Sequence, residues 1–282
     1  MRILLILALI NLLGACTSFT VQERNFIMPD SVTGKNTTTR FNQTALKAIL
    51  PNANMHDVSV TQADGNVTHG IVISQPGARA TLLYFGGNMF HIDRHAQEIL
   101  STIAACNVNV AMFDYRGYGR SSGKPTVALM STDALAVYDH MNAQSLGQVM
   151  VHGQSLGSFI AAYVAQFRPA RALVLESTAT NPQDWAIANT PWYFRPFVSI
   201  EVAPELALVD NLVAVSAYTG PSLLLIGGQD VITPPTLANR VFVAMRGSPK
   251  VLLVAQGAGH NDVLDDTKIA QKYCEFLGKL GS

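Results

Sequence analysis

The sequence Val-Met-Val-His-Gly-Gln-Ser-Leu-Gly occupies residues 149–157. Its first three residues are an apolar run that predicts a strand, and residues 158–166 have the composition of a helix. A serine between two glycines at a strand-to-helix junction is typical of a strained turn that exposes the serine Oγ. Gly153 and Gly157 lack a Cβ and tolerate the unusual backbone angles of such a turn. The stretch therefore predicts that Ser155 is a nucleophile at the edge of a sheet.

Strand and helix patterns alternate on both sides of this stretch. Continuous apolar runs predict buried strands at residues 81–85, 108–113, 172–175, 222–226 and 251–254. Helical patterns occur at residues 91–105, 132–142, 236–245 and 265–280. Two β-branched runs, at residues 58–61 and 70–73, predict a hairpin before the first of these strands. The order predicts an α/β fold over residues 56–282, with a mostly parallel central sheet flanked by helices.

The composition supports one globular domain. The 282 residues are 49% hydrophobic and 13% charged, and the formal net charge is zero. The low charge content fits a sheet that is buried on both faces, and the length allows a large core. Because the chain has neither a basic stripe nor a long run of charge, we expect no nucleic acid partner.

Residues 1–16 have the pattern of an export signal. A short positive start precedes an apolar stretch, residues 3–13, that is too short to span a bilayer. Leu13-Gly14-Ala15-Cys16 resembles the lipobox of bacterial lipoproteins, which predicts removal of residues 1–15 and lipidation of Cys16; the alternative is a plain signal peptide. Thr17 after the cysteine favours the outer membrane. We expect the protein to be exported and to be held at the periplasmic face of the membrane by its acyl chains. Residues 16–55 are expected to form a polar connector.

Cys106 and Cys274 are the two remaining cysteines. Both lie near helices that are expected on one side of the sheet, so they could pair in an oxidising compartment. Because the connection cannot be deduced from sequence, pairing stays open, and we favour two buried free thiols over a disulfide.

A segment at about residues 177–218 interrupts the alternation, since it carries no strand pattern. It is rich in aromatic residues and prolines, and both tryptophans of the chain, Trp185 and Trp192, lie in it. An insertion after the carboxyl end of a strand lies over the ligand-binding edge of the sheet, which predicts a small cap. Two interpretations are equally favoured: an apolar acyl-binding lid that touches membrane, or a loop whose aromatic side chains pack onto the domain.

A serine nucleophile needs a base, and the base needs an acidic partner that orients it. The expected chain order for this type of turn is serine, acid, histidine. His260 is the only histidine after Ser155, and it lies in a glycine-rich loop after the last strand. Asp230 follows the preceding strand and is favoured over Asp210, Asp262, Asp265 and Asp266. The histidines interpreted as helix-surface or packing residues include His91, His95 and His152.

An acyl-transfer site also needs backbone N–H donors for the oxyanion. One donor is expected from Leu156, which follows the nucleophile at the start of a helix whose dipole favours negative charge. The second is expected from the loop after the strand at residues 81–85. Glycines in this loop allow a carbonyl to approach closely, and Gly87 is favoured over Asn88.

Five segments carry a family resemblance: Leu82-Leu83-Tyr84-Phe85-Gly86-Gly87-Asn88, residues 113–123, the Ser155 turn, Gly228-Gln229-Asp230 and Gly259-His260-Asn261-Asp262. They resemble the α/β-hydrolase superfamily, and most of all its BEM46-like branch, which also includes ABHD12, ABHD13 and ABHD17 type serine hydrolases. The branch commonly has His-Gly-Asn where this chain has Phe85-Gly86-Gly87. Asp114 and Arg116, in the second segment, are interpreted as structural.

The resemblance implies hydrolysis of ester or thioester bonds in lipid-like or acylated substrates, without a metal or organic cofactor. Ser155, His260 and Asp230 would form a catalytic triad that works through an acyl-enzyme. Two alternatives stay open: a non-catalytic hydrolase-fold lipoprotein that binds an acyl ligand or a partner protein, and a serine peptidase. The presence of all three triad candidates counts against the first alternative.

Overall fold

The structure, a computed structural model, describes residues 17–34, 39–144 and 146–280. The predicted signal peptide, residues 1–15, and the predicted lipidation site, Cys16, lie outside these ranges, so both stay predictions. Within the described ranges, no helix has both the length and the apolar character needed to cross a membrane.

The described residues form a regular succession of strands and helices. The strands are β1 (Thr17–Val21), β2 (Asn54–Thr61), β3 (Val67–Ser74), β4 (Ala80–Phe85), β5 (Asn109–Phe113), β6 (Gln148–Gln154), β7 (Leu173–Glu176), β8 (Val198–Val202), β9 (Ser222–Gly227) and β10 (Lys250–Ala255). The helices are α1 (Glu23–Phe26), α2 (Asp30–Thr33), α3 (Gln43–Ile49), α4 (Ile92–Ile103), α5 (Val127–Asn142), α6 (Leu156–Phe167), α7 (Pro182–Asn189), α8 (Asn211–Ala217), α9 (Pro235–Ala244) and α10 (Thr267–Leu280). Helix α5 begins earlier than predicted because the Thr126 hydroxyl caps it by accepting from the N–H of Leu129.

A central sheet of eight strands organises the domain. Its order is β10-β9-β7-β6-β4-β5-β3-β2, and only the β2–β3 and β3–β5 pairs are antiparallel. Strands β4, β5, β7 and β9 are buried at every residue, which explains why their sequences are continuous apolar runs. The predicted fold class, a mostly parallel sheet flanked by helices, is confirmed.

Helices cover both faces of this sheet and divide the core in two. Helices α5, α6, α8 and α9 pack on one face, and α3, α4 and α10 pack on the other. The side chains of β4 alternate between the two: Leu83 packs in the first core, whereas Leu82 and Tyr84 pack in the second. The carboxyl ends of the parallel strands therefore meet at one edge, where ligands bind in open α/β sheets.

Cys106 and Cys274 form a disulfide. Cys106 ends the turn after α4, and Cys274 lies on α10, which packs on the same face of the sheet. The favoured prediction of two free thiols is therefore wrong. Sequence could not reveal the pairing, because the two cysteines are 168 positions apart and meet only when both helices have packed.

Removing this disulfide should lower the free energy of unfolding by about 2–5 kcal/mol, because the bond restricts the unfolded chain over a long loop. The measurement is chemical denaturation of the wild type and of the Cys106→Ser, Cys274→Ser double variant. Wild type treated with a reductant is the control and should match the double variant. Equal stabilities for the oxidised and the reduced wild type would contradict the expectation.

A second, small sheet joins the N-terminal segment to the cap. Strand β1 pairs in parallel with β8, in a register that aligns Phe19 with Ile200. No strand was expected between residues 177 and 218, and β8 contradicts that expectation. Both strands have only five residues: β8, Val-Ser-Ile-Glu-Val, alternates apolar and polar residues, a strand signal that was overlooked, whereas β1, Thr-Ser-Phe-Thr-Val, gives a weaker one. The predicted connector is thus partly regular structure, and Val21 and Ile27 in it are buried.

Candidate active site

Ser155 lies at a strained turn between β6 and α6. Its backbone has φ 54° and ψ −117°, a conformation that is uncommon for any residue other than glycine. Its N–H donates to the carbonyl oxygen of Glu176 at 2.9 Å, and its own carbonyl accepts from the N–H of Ser158 at 2.9 Å. The turn predicted from the sequence is therefore present, and it lies at the carboxyl edge of the sheet.

Gly153 and Gly157, which flank the Ser155 turn, allow the backbone to pack closely there. Neither glycine has a positive φ, so the unusual backbone angles predicted for the turn fall on the serine itself. A Cβ on Gly153 would overlap the carbonyl oxygen of Gly157, and a Cβ on Gly157 would overlap that of Phe85. The glycines therefore allow α6 to start directly against the ends of β4 and β6.

The Gly157→Ala variant should lose about 3 kcal/mol of the free energy of unfolding, because its methyl group meets rigid backbone. The measurement is urea denaturation followed by circular dichroism. Gly278→Ala is the control, because a methyl group at that position of α10 would meet no neighbouring atom within 4 Å. The control should be neutral or slightly more stable, since alanine favours a helix. A Gly157→Ala variant as stable as the control would contradict this account of the turn.

His260 connects Ser155 to Asp230. The distance from His260 Nε2 to Ser155 Oγ is 2.8 Å, and the distance from His260 Nδ1 to Asp230 Oδ2 is also 2.8 Å. His260 lies in the loop after β10, and Asp230 lies in the loop after β9. Their side chains are 9% and 0% exposed. The structure thus brings together three residues that are far apart in the sequence, in the geometry of a nucleophile, a base and an orienting acid.

Asp230 is held as a carboxylate by several donors. Its Oδ1 accepts from the N–H groups of Ile232 and Thr233, both at 2.9 Å, and its Oδ2 lies 2.7 Å from Thr233 Oγ1. Burial acts to raise the pKa of Asp230, but hydrogen bonds from His260 and Thr233 outweigh it and hold the pKa below its ordinary value. A carboxylate at Nδ1 keeps the proton of a neutral imidazole there, which leaves Nε2 free to accept from Ser155.

The lowered pKa of Asp230 makes the stability of the fold depend on pH. An ionised Asp230 stabilises the native state above its unfolded-state pKa, and this contribution is lost as the pH falls through the lower folded-state pKa. We therefore expect the difference in unfolding free energy between the wild type and Asp230→Asn to shrink as the pH falls below about 5. Denaturation series at each pH test this; a difference that grows on acidification would contradict it.

Thr233 and Ser177 also support the site, although the sequence analysis did not single them out. Thr233 Oγ1 lies 2.9 Å from the carbonyl oxygen of Ser177, besides its contact with Asp230. Ser177 Oγ donates to the carbonyl oxygen of His260 at 2.7 Å. The loops after β7, β9 and β10 are therefore linked to each other. In the sequence, these two residues could have been found from their positions after strands. Ser177 directly follows β7, and Thr233 lies in the loop after β9.

Leu156 and Gly87, the predicted oxyanion donors, both adjoin Ser155. Leu156 is the first residue of α6, so its N–H has no acceptor within the helix. Gly87 follows β4, and a Cβ built on it would lie 3.4 Å from the Cβ of Ser155. The side chain of Asn88, whose backbone N–H is the alternative donor, fastens this loop: its amide donates to the carbonyl oxygen of Phe26 and accepts from the N–H of Met28.

Comparison with known proteins identifies the family. A family model described as serine aminopeptidase, S33, matches residues 76–208. The uncharacterized protein Rv2307c of Mycobacterium tuberculosis is 31% identical over 228 residues, which cover 78% of this chain and 78% of that protein. The α/β-hydrolase domain-containing protein 17B of Homo sapiens is 28% identical over 210 residues, or 73% of this chain and 66% of that protein. The chain belongs to the α/β-hydrolase superfamily.

A solved structure agrees with this assignment at the level of the fold. The esterase Pf2001 of Pyrococcus furiosus superposes on this α/β hydrolase with a TM-score of 0.67, at 20% identity. The match covers 86% of this chain and 98% of the esterase. Membership of this family supports a hydrolase activity.

Three of the four carboxylates that compete with Asp230 have other roles in this hydrolase. Asp210 caps α8, since it accepts from the N–H groups of Leu212 and Val213. Asp266 accepts from the N–H groups of two residues at the start of α10. Asp262 accepts from the N–H of Gly259. Among the residues that the structure describes, no group of three or more His, Cys, Asp or Glu side chains is placed to hold a metal ion.

Asp114 and Arg116 fasten the turn after β5. The Arg116 guanidinium donates to Asp133 on α5 and to Asp64 in the β2–β3 turn. Asp114 accepts from the N–H of Ile92 at the start of α4, and burial raises its pKa to about 6. These contacts agree with the structural role predicted for both residues.

Two of the three histidines assigned to helix surfaces or packing, His91 and His152, are partners of buried carboxylates. His91 Nε2 lies 2.6 Å from Asp30 Oδ1, and His152 Nε2 lies 3.0 Å from Glu176 Oε2. Both rings are buried, His152 completely. The sequence analysis missed these carboxylates because Asp30 and Glu176 lie in segments that carry no motif.

The aromatic residues of the cap divide into two groups. Trp185 packs against Phe26, and its Nε1–H donates to the carbonyl oxygen of Ile232 at 2.9 Å. Other aromatic side chains stay exposed, with Trp192 78% and Tyr193 54% accessible. The interpretation that all cap aromatics pack onto the domain is therefore wrong for this second group, which also contains Phe194 and Phe197.

Proposed function

We propose that this protein hydrolyses carboxylic esters or thioesters through an acyl-enzyme on Ser155. The observation that carries the proposal is the pair of 2.8 Å contacts that join Ser155 Oγ to His260 and His260 to Asp230. A hydroxyl, an imidazole and a carboxylate in this order are the groups that acyl transfer requires. The same constellation has no evident use in a protein that only binds, which disfavours a non-catalytic lipoprotein.

The proposed reaction has two halves. Ser155 Oγ attacks the carbonyl carbon while His260 Nε2 takes the hydroxyl proton, and the N–H groups of Leu156 and Gly87 donate to the oxyanion. Collapse of this intermediate breaks the bond to the alcohol or thiol, which receives the proton from His260. Water then attacks the acyl-serine, gives a proton to His260, and releases the carboxylic acid as that proton returns to Ser155.

We further propose that the substrates carry acyl or lipid-like groups. The exposed aromatic side chains of the cap support this, since a soluble domain has little reason to present them to water. The proposed membrane location supports it as well. The apolar stretch at residues 3–13 and the lipobox-like Leu13–Cys16 favour an anchored, periplasmic enzyme, and the disulfide suits an oxidising compartment.

A fluorophosphonate probe tests the proposed nucleophile. We expect the probe to label the wild type, and mass analysis of its peptides to place the adduct on Ser155. Ser101→Ala, which removes an exposed hydroxyl on α4, is the matched control and should label normally. An unlabelled wild type, or an adduct on another residue, would overturn the proposed mechanism.

A series of p-nitrophenyl esters from acetate to palmitate tests the substrate class. We expect kcat/KM to rise toward the longer acyl chains, because they bury more apolar surface. An aminoacyl anilide is the comparison substrate, since the matching family model is described as a serine aminopeptidase. A preference for acetate would overturn the acyl proposal, and faster cleavage of the anilide would favour a peptidase.

The anchor has a separate test. Cells that express the protein should incorporate labelled palmitate into it, and Cys16→Ser should abolish the label. Cys106→Ser is the control, because it removes a cysteine without touching the lipobox. Label that persists in Cys16→Ser would overturn lipidation at this residue.

A further inference from the structure

A cavity of about 440 Å³ opens beside Ser155 on the face of the sheet covered by α4 and α10. Gly87, Gln154 and Asn261 line the part that adjoins the proposed triad: Gln154 precedes Ser155, and Asn261 follows His260. Gly87 approaches the Ser155 side chain, as described above. A substrate held at Ser155 can therefore extend into this cavity, away from the aromatic cap.

Two polar side chains face this cavity from the sheet. Register places them on one face: Tyr84 on β4 aligns with His152 on β6, and Glu176 on β7 aligns with Gln154. Glu176 is 4% exposed and Tyr84 is 7% exposed, yet both line the cavity. Within the described part of the chain, Tyr84 Oη and Glu176 Oε1 have no hydrogen-bond partner.

Burying the carboxylate of Glu176 costs free energy unless polar or charged groups contact it. Its Oε2 lies 3.0 Å from His152 Nε2, and His152 Nδ1 lies 2.9 Å from the hydroxyl of Tyr273. These polar side chains cross a largely apolar core, where a carboxylate is stable only with polar or charged partners. The proposed reaction uses none of these side chains. Glu176 Oε1 is therefore available to contact a ligand in the cavity.

The rest of the lining indicates the charge of that occupant. Glu98 and Asp265 add two exposed carboxylates at the rim, against one guanidinium, that of Arg94. His95 adds no charge near neutral pH, because burial lowers its pKa. Aromatic rings, those of Tyr84 and Phe90, supply part of the wall. Carboxylates combined with aromatic faces are the groups that recognise an ammonium ion.

We infer that this cavity is a subsite for a positively charged, ammonium-bearing part of the ester substrate, with Glu176 Oε1 as its direct partner. The inference rests on the proposed function, which places the scissile ester bond at Ser155. It adds that the cavity selects which esters are cleaved. Tyr84 keeps its proton, since burial and the nearby Glu176 carboxylate raise the pKa of its phenol well above the ordinary value. Its hydroxyl is therefore available as a further hydrogen-bonding group.

A pair of esters of the same shape tests the inference. Choline butyrate carries the ammonium group, and the dimethylbutyl ester of butyrate replaces the nitrogen by carbon. We expect the wild type to prefer the choline ester by about tenfold in kcat/KM. Glu176→Gln should bring the ratio of the two rates to about one, because the amide keeps the shape of the side chain and removes its charge.

Substitutions at exposed positions test the charge of the cavity without disturbing the buried contacts among Glu176, His152 and Tyr273. Glu98→Gln combined with Asp265→Asn should lower the ratio by about two- to threefold, since these carboxylates act through solvent at the rim. Glu205→Gln, an exposed carboxylate of the cap outside the cavity, is the matched control and should leave the ratio unchanged. A wild-type ratio near one, or a ratio that survives Glu176→Gln, would overturn the subsite.

Rates on p-nitrophenyl butyrate separate this inference from the proposed function. Normal cleavage of that ester without a choline preference would overturn the subsite alone. Failure to cleave any ester would overturn the proposed function, and calorimetric binding of choline would then decide the subsite. Choline that binds the wild type more tightly than it binds Glu176→Gln supports the subsite, and equal or absent binding overturns it.

Discussion

Replacing Ser155 with alanine is expected to lower kcat/KM for a p-nitrophenyl ester by about four to six orders of magnitude. The alanine has no Oγ to form the acyl-enzyme, so only binding and oxyanion contacts remain to assist direct attack by water. The fold should persist, because among the described residues the Ser155 hydroxyl hydrogen-bonds only with His260, at 2.8 Å, and the hydrogen bonds of the turn come from backbone groups.

Steady-state kinetics on the purified variant, with circular dichroism to verify folding, is the measurement. Ser101→Ala again serves as the matched hydroxyl deletion and should keep the wild-type rate. A folded Ser155→Ala protein whose rate stays within about tenfold of the wild type would show that another residue performs the attack.

The Asp230→Asn variant is expected to lose about three to four orders of magnitude in kcat, with a much smaller change in KM. Asparagine keeps the size of the side chain but presents an amide where a carboxylate now holds the proton of His260 Nδ1. The amide NH2 group favours the opposite tautomer, in which Nε2 carries the proton and cannot accept from Ser155.

Asp266→Asn is the matched control for this substitution. Asp266 caps α10 through its side-chain oxygen, a role that asparagine also fills, so its kinetics should equal those of the wild type. Thr233→Val should fall between the two variants, because it removes one of the hydrogen bonds to Asp230 and leaves the charge. An Asp230→Asn enzyme with unchanged kcat would exclude Asp230 as the partner of His260.

Local patterns predicted much of the fold because the central strands are buried on both faces. Such strands must be apolar throughout, so the runs at β4, β5, β7 and β9 were visible without any knowledge of their neighbours. The β1–β8 pair was missed, although residues 198–202 alternate apolar and polar side chains, because each strand is only five residues long and its partner lies far away in the chain. The disulfide was misjudged for the same reason.

The sequence by itself determined the order of the eight central strands, the turn at Ser155, and the position of His260 and Asp230 after successive strands. These features depend on residues that are close together in the chain, where apolar runs, glycines and chain order carry the information. Tertiary structure alone decided the contacts of Thr233 with Asp230, the meeting of Cys106 with Cys274, and the cavity above Glu176. Each of these joins side chains from separate elements, and their distances exist only after the helices have packed against the sheet.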